Sequence, residues 1–312
     1  MNTVYDLKRE VEKPPRLTGG HRLCAGCGAG IVVSGVLRAL EKDDRAVVTN
    51  ATSCLEVSTF MYPYTAYTDS FIHSAFENSA ATCSGVEAAY NALKRRGKVD
   101  DTVKFITFAG DGGTYDIGFQ SLSGAMERGH DMVYVCYDNE AYMNTGIQRS
   151  SSTPRFARTT TTAIGSARQG KIQNKKDLTE IMVAHNIPYV AQTAPLGNLK
   201  DLHTKAYKAI YTEGPCFLNV LSPCPRGWGY PMAMLPEIIK LAVDTCVWPL
   251  FEVEEGVWHL SYTPKKKLPV EDFLRPQDRF SHMFKKGNEW MIDSAQQYVD
   301  KKWERLLERT GG

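Results

Sequence analysis

The sequence predicts an α/β fold with a doubly wound, mostly parallel sheet, and three observations carry that prediction. Strand-length apolar runs alternate with stretches of helical periodicity over most of the chain. Strands such as Val103–Ala109 and Met132–Cys136 are mostly apolar on both faces, as strands covered on both sides must be. The loops that follow them carry Gly, Asp and Asn, where a parallel sheet opens its ligand crevice. In order, residues 1–20 form an N-terminal arm rich in proline and charge, expected to lie on a partner subunit. A helix over Gly30–Glu41 follows from apolar spacing at Ile31, Val32, Gly35, Val36 and Leu40, and Ala46–Asn50 reads as a strand. Ser79–Arg95 is a helix with Val86, Ala89 and Leu93 on one face. Strand Val103–Ala109, helical stretch Asp116–Arg128 and strand Met132–Cys136 make one right-handed unit. Residues 144–174 are polar, broken by Gly146, Pro154, Gly165 and Gly170, and too long for an idle connection, so a functional loop is expected there. Helix Lys176–His185, strand Tyr189–Gln192, helix Leu199–Glu213, strand Cys216–Leu221 and helix Leu235–Cys246 complete the main domain, 21–250. After Pro249 come short strand-like pieces and a charged helix, Asn288–Leu307, so 251–312 reads as a C-terminal extension for subunit contacts.

A chain of 312 residues can bury a substantial core, and its 43% hydrophobic and 23% charged content is that of a globular protein. A net charge of +2 with no basic helix gives no reason to expect nucleic acid, and Lys265-Lys266-Lys267 reads as a solvated loop. No run of about 18 apolar residues is present to span a membrane. Met1–Gly20 carries charges and prolines instead of an apolar signal core, which points to the cytoplasm.

The most specific motif is Gly110-Asp111-Gly112-Gly113, with Asn139 28 positions after Asp111 in Tyr137-Asp138-Asn139-Glu140-Ala141. Mg²⁺ takes about six oxygens in an octahedron, from one or two carboxylates plus ligand phosphates. Asp111, the Asn139 amide and a backbone carbonyl near Ala141 would supply three, and a diphosphate two more. The glycines let backbone approach a phosphate closely. A Gly-x-Gly-x-x-Gly nucleotide loop fits poorly, because position 115 is Tyr and no ribose-binding acid ends a strand about 20 residues on. The arrangement resembles the thiamine diphosphate signature, Gly-Asp-Gly followed nearly thirty residues later by Asn.

Eight cysteines divide into two sets. Cys24 and Cys27 (Cys-x-x-Cys), Cys54 and Cys224 lie in loops beside glycine or proline, whereas Cys83, Cys136, Cys216 and Cys246 sit in apolar patterns as inert core thiols. Four loop thiolates suit a [4Fe–4S] cluster or structural zinc, and Cys-x-x-Cys alone is also a redox-pair motif. Spacing alone leaves cluster, zinc and neither open.

With both features in one chain, the sequence resembles the thiamine-binding β subunit of the 2-oxoacid:ferredoxin oxidoreductases, from about His21 to Glu252. Besides the motifs above, the resemblance rests on Ala51-Thr52-Ser53-Cys54-Leu55-Glu56, Phe76–Ala81, the run from Tyr137 to Arg149, Thr153-Pro154, Thr159-Thr160-Thr161 and Pro223–Trp228. It implies the thiamine diphosphate-binding fold, with thiamine diphosphate, Mg²⁺ and one [4Fe–4S] cluster as cofactors. It makes Cys24, Cys27, Cys54 and Cys224 the cluster ligands, and Asp111, Asn139 and the Ala141 carbonyl the Mg²⁺ ligands. It places Gly110, Gly112, Gly113, Glu56 and Thr145 at the cofactor and Asn144 near the reactive thiazolium carbon. The glutamate that activates the aminopyrimidine has no match here, and in the family it comes from a pyrimidine-binding α subunit. The implied partners are that subunit, other subunits including a ferredoxin-like one, ferredoxin, a small 2-oxoacid and coenzyme A. The implied reaction is oxidative decarboxylation of pyruvate to acetyl-coenzyme A, in anaerobic surroundings. Oxalate without coenzyme A, branched or aryl 2-oxoacids, a non-redox thiamine enzyme with structural zinc and a silent assembly subunit are the alternatives. Two departures from the family matter: the first is a small change that leaves the third cluster cysteine in place, and the second bears on substrate. Ser53 replaces a common Gly, and Thr65–Phe71 and Arg155–Arg158 lack a tryptophan found in several pyruvate-type members. His21, His73, Glu77, Asn78, Asp116, Arg149, Arg155 and Arg158 have structural explanations as good as functional ones.

Overall fold

The computed structural model describes residues 5–311. Its strands are β1 (Arg45–Ala51), β2 (Phe60–Met61), β3 (Tyr64–Thr65), β4 (Ser70–Ser74), β5 (Val103–Gly110), β6 (Val133–Asp138), β7 (Tyr189–Thr193), β8 (Cys216–Leu221), β9 (Phe251–Glu254) and β10 (Val257–Leu260). Its helices are α1 (Leu7–Glu12), α2 (Gly28–Leu37), α3 (Cys54–Thr59), α4 (Ser79–Arg95), α5 (Phe119–Glu127), α6 (Leu178–Val183), α7 (Lys200–Tyr211), α8 (Pro225–Trp228), α9 (Leu235–Asp244), α10 (Val270–Leu274) and α11 (Glu289–Thr310). Eight strands form one sheet in the order β10-β9-β7-β8-β6-β5-β1-β4, while β2 and β3 pair separately. The six from β4 to β7 run parallel, and the β9–β10 hairpin joins antiparallel at one edge.

Helices cover both faces, which is why the central strands are apolar throughout. Val32, Val33 and Val36 of α2 and Leu202, Ala206 and Ile210 of α7 pack on Val48, Ile106, Val135 and Leu218. On the other face Cys83 of α4, Leu122 and Met126 of α5, Met182 of α6 and Leu306 of α11 pack on Phe105, Tyr134 and Phe217. Among the described residues no helix is long and apolar enough to cross a membrane.

Several elements depart from the sequence reading. The segment 251–312 is integral to this chain's sheet and core as well as being the expected contact extension: β9 pairs with β7, and α10 and α11 share an apolar cluster with α9 and Trp228. The arm also packs on its own chain where described. Buried Glu10 meets Lys13 and His203 at 2.9 and 2.7 Å, and Arg16 meets Asp69. Residues 1–4 of that arm lie outside the described residues. The buried stripe of α4 is Ala80, Cys83, Ser84 and Glu87, not Ala89 and Leu93, which are exposed. Glu87 turns inward because His130 receives it at 2.9 Å. Ile31 is likewise exposed on an otherwise buried α2 face. The edge strand β4, with its polar ends, carries no apolar run to announce it.

Candidate functional site

The ligand crevice opens where β5 and β6 end side by side, with Gly110 paired to Tyr137. After β5 the chain turns through a π-helical segment, Gly112–Ile117, closed by Gly118 N–H donating to Gly113 O at 2.8 Å. Single π-turns of this kind concentrate at functional sites. Gly112 and Gly113 are needed for close approach: a Cβ would lie 2.3 Å from the Tyr142 ring and 2.9 Å from Phe76 O respectively. The Tyr142 hydroxyl donates to Gly112 O at 2.7 Å and so ties the two strand-end loops together.

Asp111 is fully buried, and its Oδ2 accepts the Ser150 hydroxyl. Burial, then the neighbouring Asp138, push its carboxyl well above the usual range. The end of the Asn139 amide lies 2.9 Å from Asp111 Oδ1 and 2.8 Å from Ala141 O. With the amide nitrogen there, it donates to both oxygens; with the amide oxygen there, three oxygens converge around a point with no donor among them. Octahedral Mg²⁺ with metal–oxygen distances near 2.0–2.1 Å sets neighbouring ligand oxygens about 3 Å apart. The donor set and its spacing fit that ion.

Beneath this loop lies a charge network with no local motif to announce it. Lys175 sits 2.8 Å from Asp138 and 3.0 Å from Glu140, and Arg279 is 2.6 Å from Glu140. Asp138 also accepts from Tyr115 and Ser152 hydroxyls at 2.8 and 2.6 Å. Arg279 lies over the Trp228 ring, whose N–H donates to Asn139 O at 2.8 Å. Although burial opposes its charge, Lys175 and Arg279 hold the Glu140 carboxyl below its ordinary value. Glu140 keeps φ at +67°, a left-handed turn that aims its neighbours Asn139 and Ala141 the same way. Ser150 and Thr153 brace the turn from the long loop, Thr153 Oγ1 donating to Glu140 O at 2.7 Å. That loop is therefore ordered and is the scaffold of the site, held by buried Lys171, whose ammonium donates to the Ser151 and Thr153 carbonyls.

The cysteine loops come together beside this crevice. Gly28 N–H donates to Pro223 O at 3.0 Å, and a Cβ on Gly28 would meet Ser222 and Pro223 backbone at 2.9 Å. The 24–28 and 222–224 segments are thus in backbone contact. Cys54 opens α3 after β1. Burial pushes the Cys54 thiol up to about 12, with Cys224 and Cys27 adding to it. Burial likewise pushes Cys27 up to about 11, and Cys224 and Cys24 add to that. Each thiol is close enough to feel the others' charge. Gly227 N–H donates to Cys224 Sγ at 3.4 Å. Backbone donors of this sort stabilise thiolate sulfur and tune a cluster's potential. Cys83, Cys136, Cys216 and Cys246 are buried and apart from this group.

Gly110, Gly112, Gly113, Asn139, Ala141, Asn144 and Thr145 line one cleft of about 330 Å³, together with Cys54. Asp111 lies under its floor. Thr145 spends its hydroxyl on Gln148. Glu56 does not reach the cleft: it is buried and faces His73 at 3.6 Å, while His73 meets Thr52 of the cleft wall at 2.8 Å. Asp116 accepts Ser151 N–H at 2.9 Å, which anchors the long loop. Sequence reasoning missed Ser150, Lys175 and Arg279.

The family model described as thiamine pyrophosphate enzyme, C-terminal TPP binding domain, matches residues 50–220. The chain is 53% identical over 289 residues to the pyruvate synthase subunit PorB of Methanocaldococcus jannaschii, covering 92% of this chain and 95% of that one. It is 52% identical to the PorB subunit of Thermotoga maritima (97% and 95%) and 42% identical to the ketoisovalerate oxidoreductase subunit VorB of Pyrococcus furiosus (98% and 97%). The 2-oxoglutarate:ferredoxin oxidoreductase of Magnetococcus marinus shares the fold at a TM-score of 0.57 and 22% identity, over 72% of this chain and 69% of that one. The chain belongs to the thiamine diphosphate-binding β subunits of the 2-oxoacid:ferredoxin oxidoreductases.

Proposed function

We propose that this chain is the cofactor-binding subunit of a complex that oxidatively decarboxylates pyruvate, passing electrons to ferredoxin and the acyl group to coenzyme A. The single observation that carries this reading is that Cys54 lines the same cleft as Asn139, Ala141 and Asn144. A candidate cluster ligand and the candidate diphosphate-metal ligands therefore share one wall. When bound, thiamine diphosphate supplies the electron sink that makes loss of CO₂ from a 2-oxoacid possible.

The chain's own residues do the binding and positioning. Asp111, the Asn139 amide and Ala141 O would hold Mg²⁺, and backbone at Gly112 and Gly113 would meet the diphosphate. Asn144, exposed at the cleft and within reach of Cys54, stands between the two cofactor sites. Cys24, Cys27, Cys54 and Cys224 would hold one [4Fe–4S] cluster. Among the described residues no three or more His, Cys, Asp or Glu side chains are spaced for one metal ion. The 53% and 52% identity to two PorB subunits supports pyruvate as the 2-oxoacid, while the PorB and VorB subunits of Pyrococcus furiosus are equally similar at 42%. The aminopyrimidine end would be completed by an α subunit.

The test uses the co-purified complex. Thiamine diphosphate should bind only with Mg²⁺ and not after Asp111→Ala; iron and sulfide should each fall by one cluster's worth with Cys54→Ser, and one component of the reduced-cluster paramagnetic signal should go with them, above the unchanged background of the ferredoxin-like subunit. Pyruvate with coenzyme A should reduce a viologen dye faster than ketoisovalerate or oxalate. Metal-independent cofactor binding, or zinc in place of iron, would sink the proposal.

A further inference from the structure

The peptide that carries the metal ligands is also a partition. Asn139 and Ala141 line the cofactor cleft, whereas Glu140 between them lines a second cavity of about 800 Å³, its open mouth included. The walls of this cavity are Phe273 and Leu274 of α10 and Ala295 and Val299 of α11, closed by Phe156 and Phe280. Its mostly apolar lining with a few placed charges is that of small-molecule pockets.

The charges around it are lopsided: Arg155, Lys175 and Lys302 face one carboxylate, Glu140. Two of the cations are already paired, Lys175 with Asp138 and Glu140, and Lys302 with Asp177 at 2.5 Å. Arg155 is not. It is exposed, lies 4.6 Å over the Phe156 ring and donates to Ser294 Oγ at 3.2 Å; among the described residues no carboxylate pairs with it. An unclaimed guanidinium beside an apolar cavity matches one planar anion joined to an apolar tail.

We infer that this cavity is a binding site for a medium-chain alkyl monocarboxylate, its head on Arg155 and its tail between α10 and α11. The site is separate from the cofactor cleft and takes a ligand that does not enter the reaction.

Calorimetric titration of the co-purified complex with hexanoate, octanoate and decanoate tests it. Each added methylene should tighten binding about fourfold, the transfer of one CH₂ out of water. Octylamine, with the charge reversed, should not bind. Ala295→Trp fills the cavity and should abolish octanoate binding. Arg155→Glu, an exposed change that leaves the core alone, should weaken it at least about tenfold. No saturable binding up to about 10 mM octanoate, or equal binding by wild type and the Arg155→Glu variant, would overturn the inference.

Discussion

Lys175→Met should destabilise the fold by about 3–5 kcal/mol, because it leaves buried Asp138 without its cation and Glu140 with Arg279 alone. The ammonium lies within 3.0 Å of both Asp138 and Glu140. Although burial works against its charge, those two carboxylates raise its pKa above the ordinary lysine value. Methionine keeps a flexible apolar stem of similar length against the Trp248 ring, so what is lost is electrostatic. With an unfolding entropy of about 2.1 cal/mol/K per residue, a chain of 312 residues changes by about 0.65 kcal/mol per degree. The melting temperature should therefore fall by about 5–8 °C in differential scanning calorimetry. Adding Asp138→Asn, which removes one stranded charge and keeps the shape, should recover about half of that loss. A shift within about 1 °C, or a double variant no more stable than the single one, would refute the view that this network supports the metal loop.

Ser150→Ala removes the hydroxyl that orients Asp111 and should weaken Mg²⁺-dependent thiamine diphosphate binding about ten- to a hundredfold by calorimetry, the loss of one hydrogen bond to a charged group. Burial lowers the Lys171 pKa to about 8. Between pH 8 and about 10.5 the unfolded chain therefore holds a proton that the folded one has released, and this residue makes stability rise with pH through that window. Lys171→Met should remove the rise, which denaturant melts of both proteins at pH 7.5 and pH 10 would detect. Gly118→Ala would drive a Cβ to 2.2 Å from Gly113 O, a backbone atom, and should abolish cofactor binding. Gly227→Ala meets only the movable end of Met143 and should be much milder in the same titration.

Much of the candidate site was legible because its candidate ligands are local. Asp111 and Asn139 each follow a strand at once, so the two motifs alone located the crevice, and the bounds of α4 and β8 were readable from their patterns. Long-range pairing was not legible. Arg279 reaches Glu140 across 139 residues of sequence, and in a charged tail it reads as one more solvated side chain. Lys175 and Lys171 lie in a polar stretch that looks like an exposed loop, yet Lys171 is buried and Lys175 bridges two buried carboxylates. Buried Glu87 on α4 shifted the helix face for the same reason: a partner from elsewhere in the chain, His130, makes an inward charge tolerable.

The order of the strands explains why one chain could house two cofactors. Reading across the sheet, β8, β6, β5 and β1 are consecutive and parallel, so their carboxyl ends open on one edge. Cys224 follows β8, Asn139 follows β6, Asp111 follows β5 and Cys54 follows β1. The cysteine-bearing loops thus flank the two metal-loop strands, about 14 Å apart at the sheet by strand spacing alone. They close that gap above the sheet, where the Gly28–Pro223 hydrogen bond brings the Cys-x-x-Cys turn to the β8 side and α3 leans Cys54 into the cleft from the β1 side. The cysteine loops therefore meet beside the cleft lined by Gly112, Gly113, Asn139 and Ala141. Moving either cysteine strand one place in the sheet would part these loops while β5 and β6 stay adjacent, so strand order is what sets the proposed cluster site beside the proposed diphosphate site.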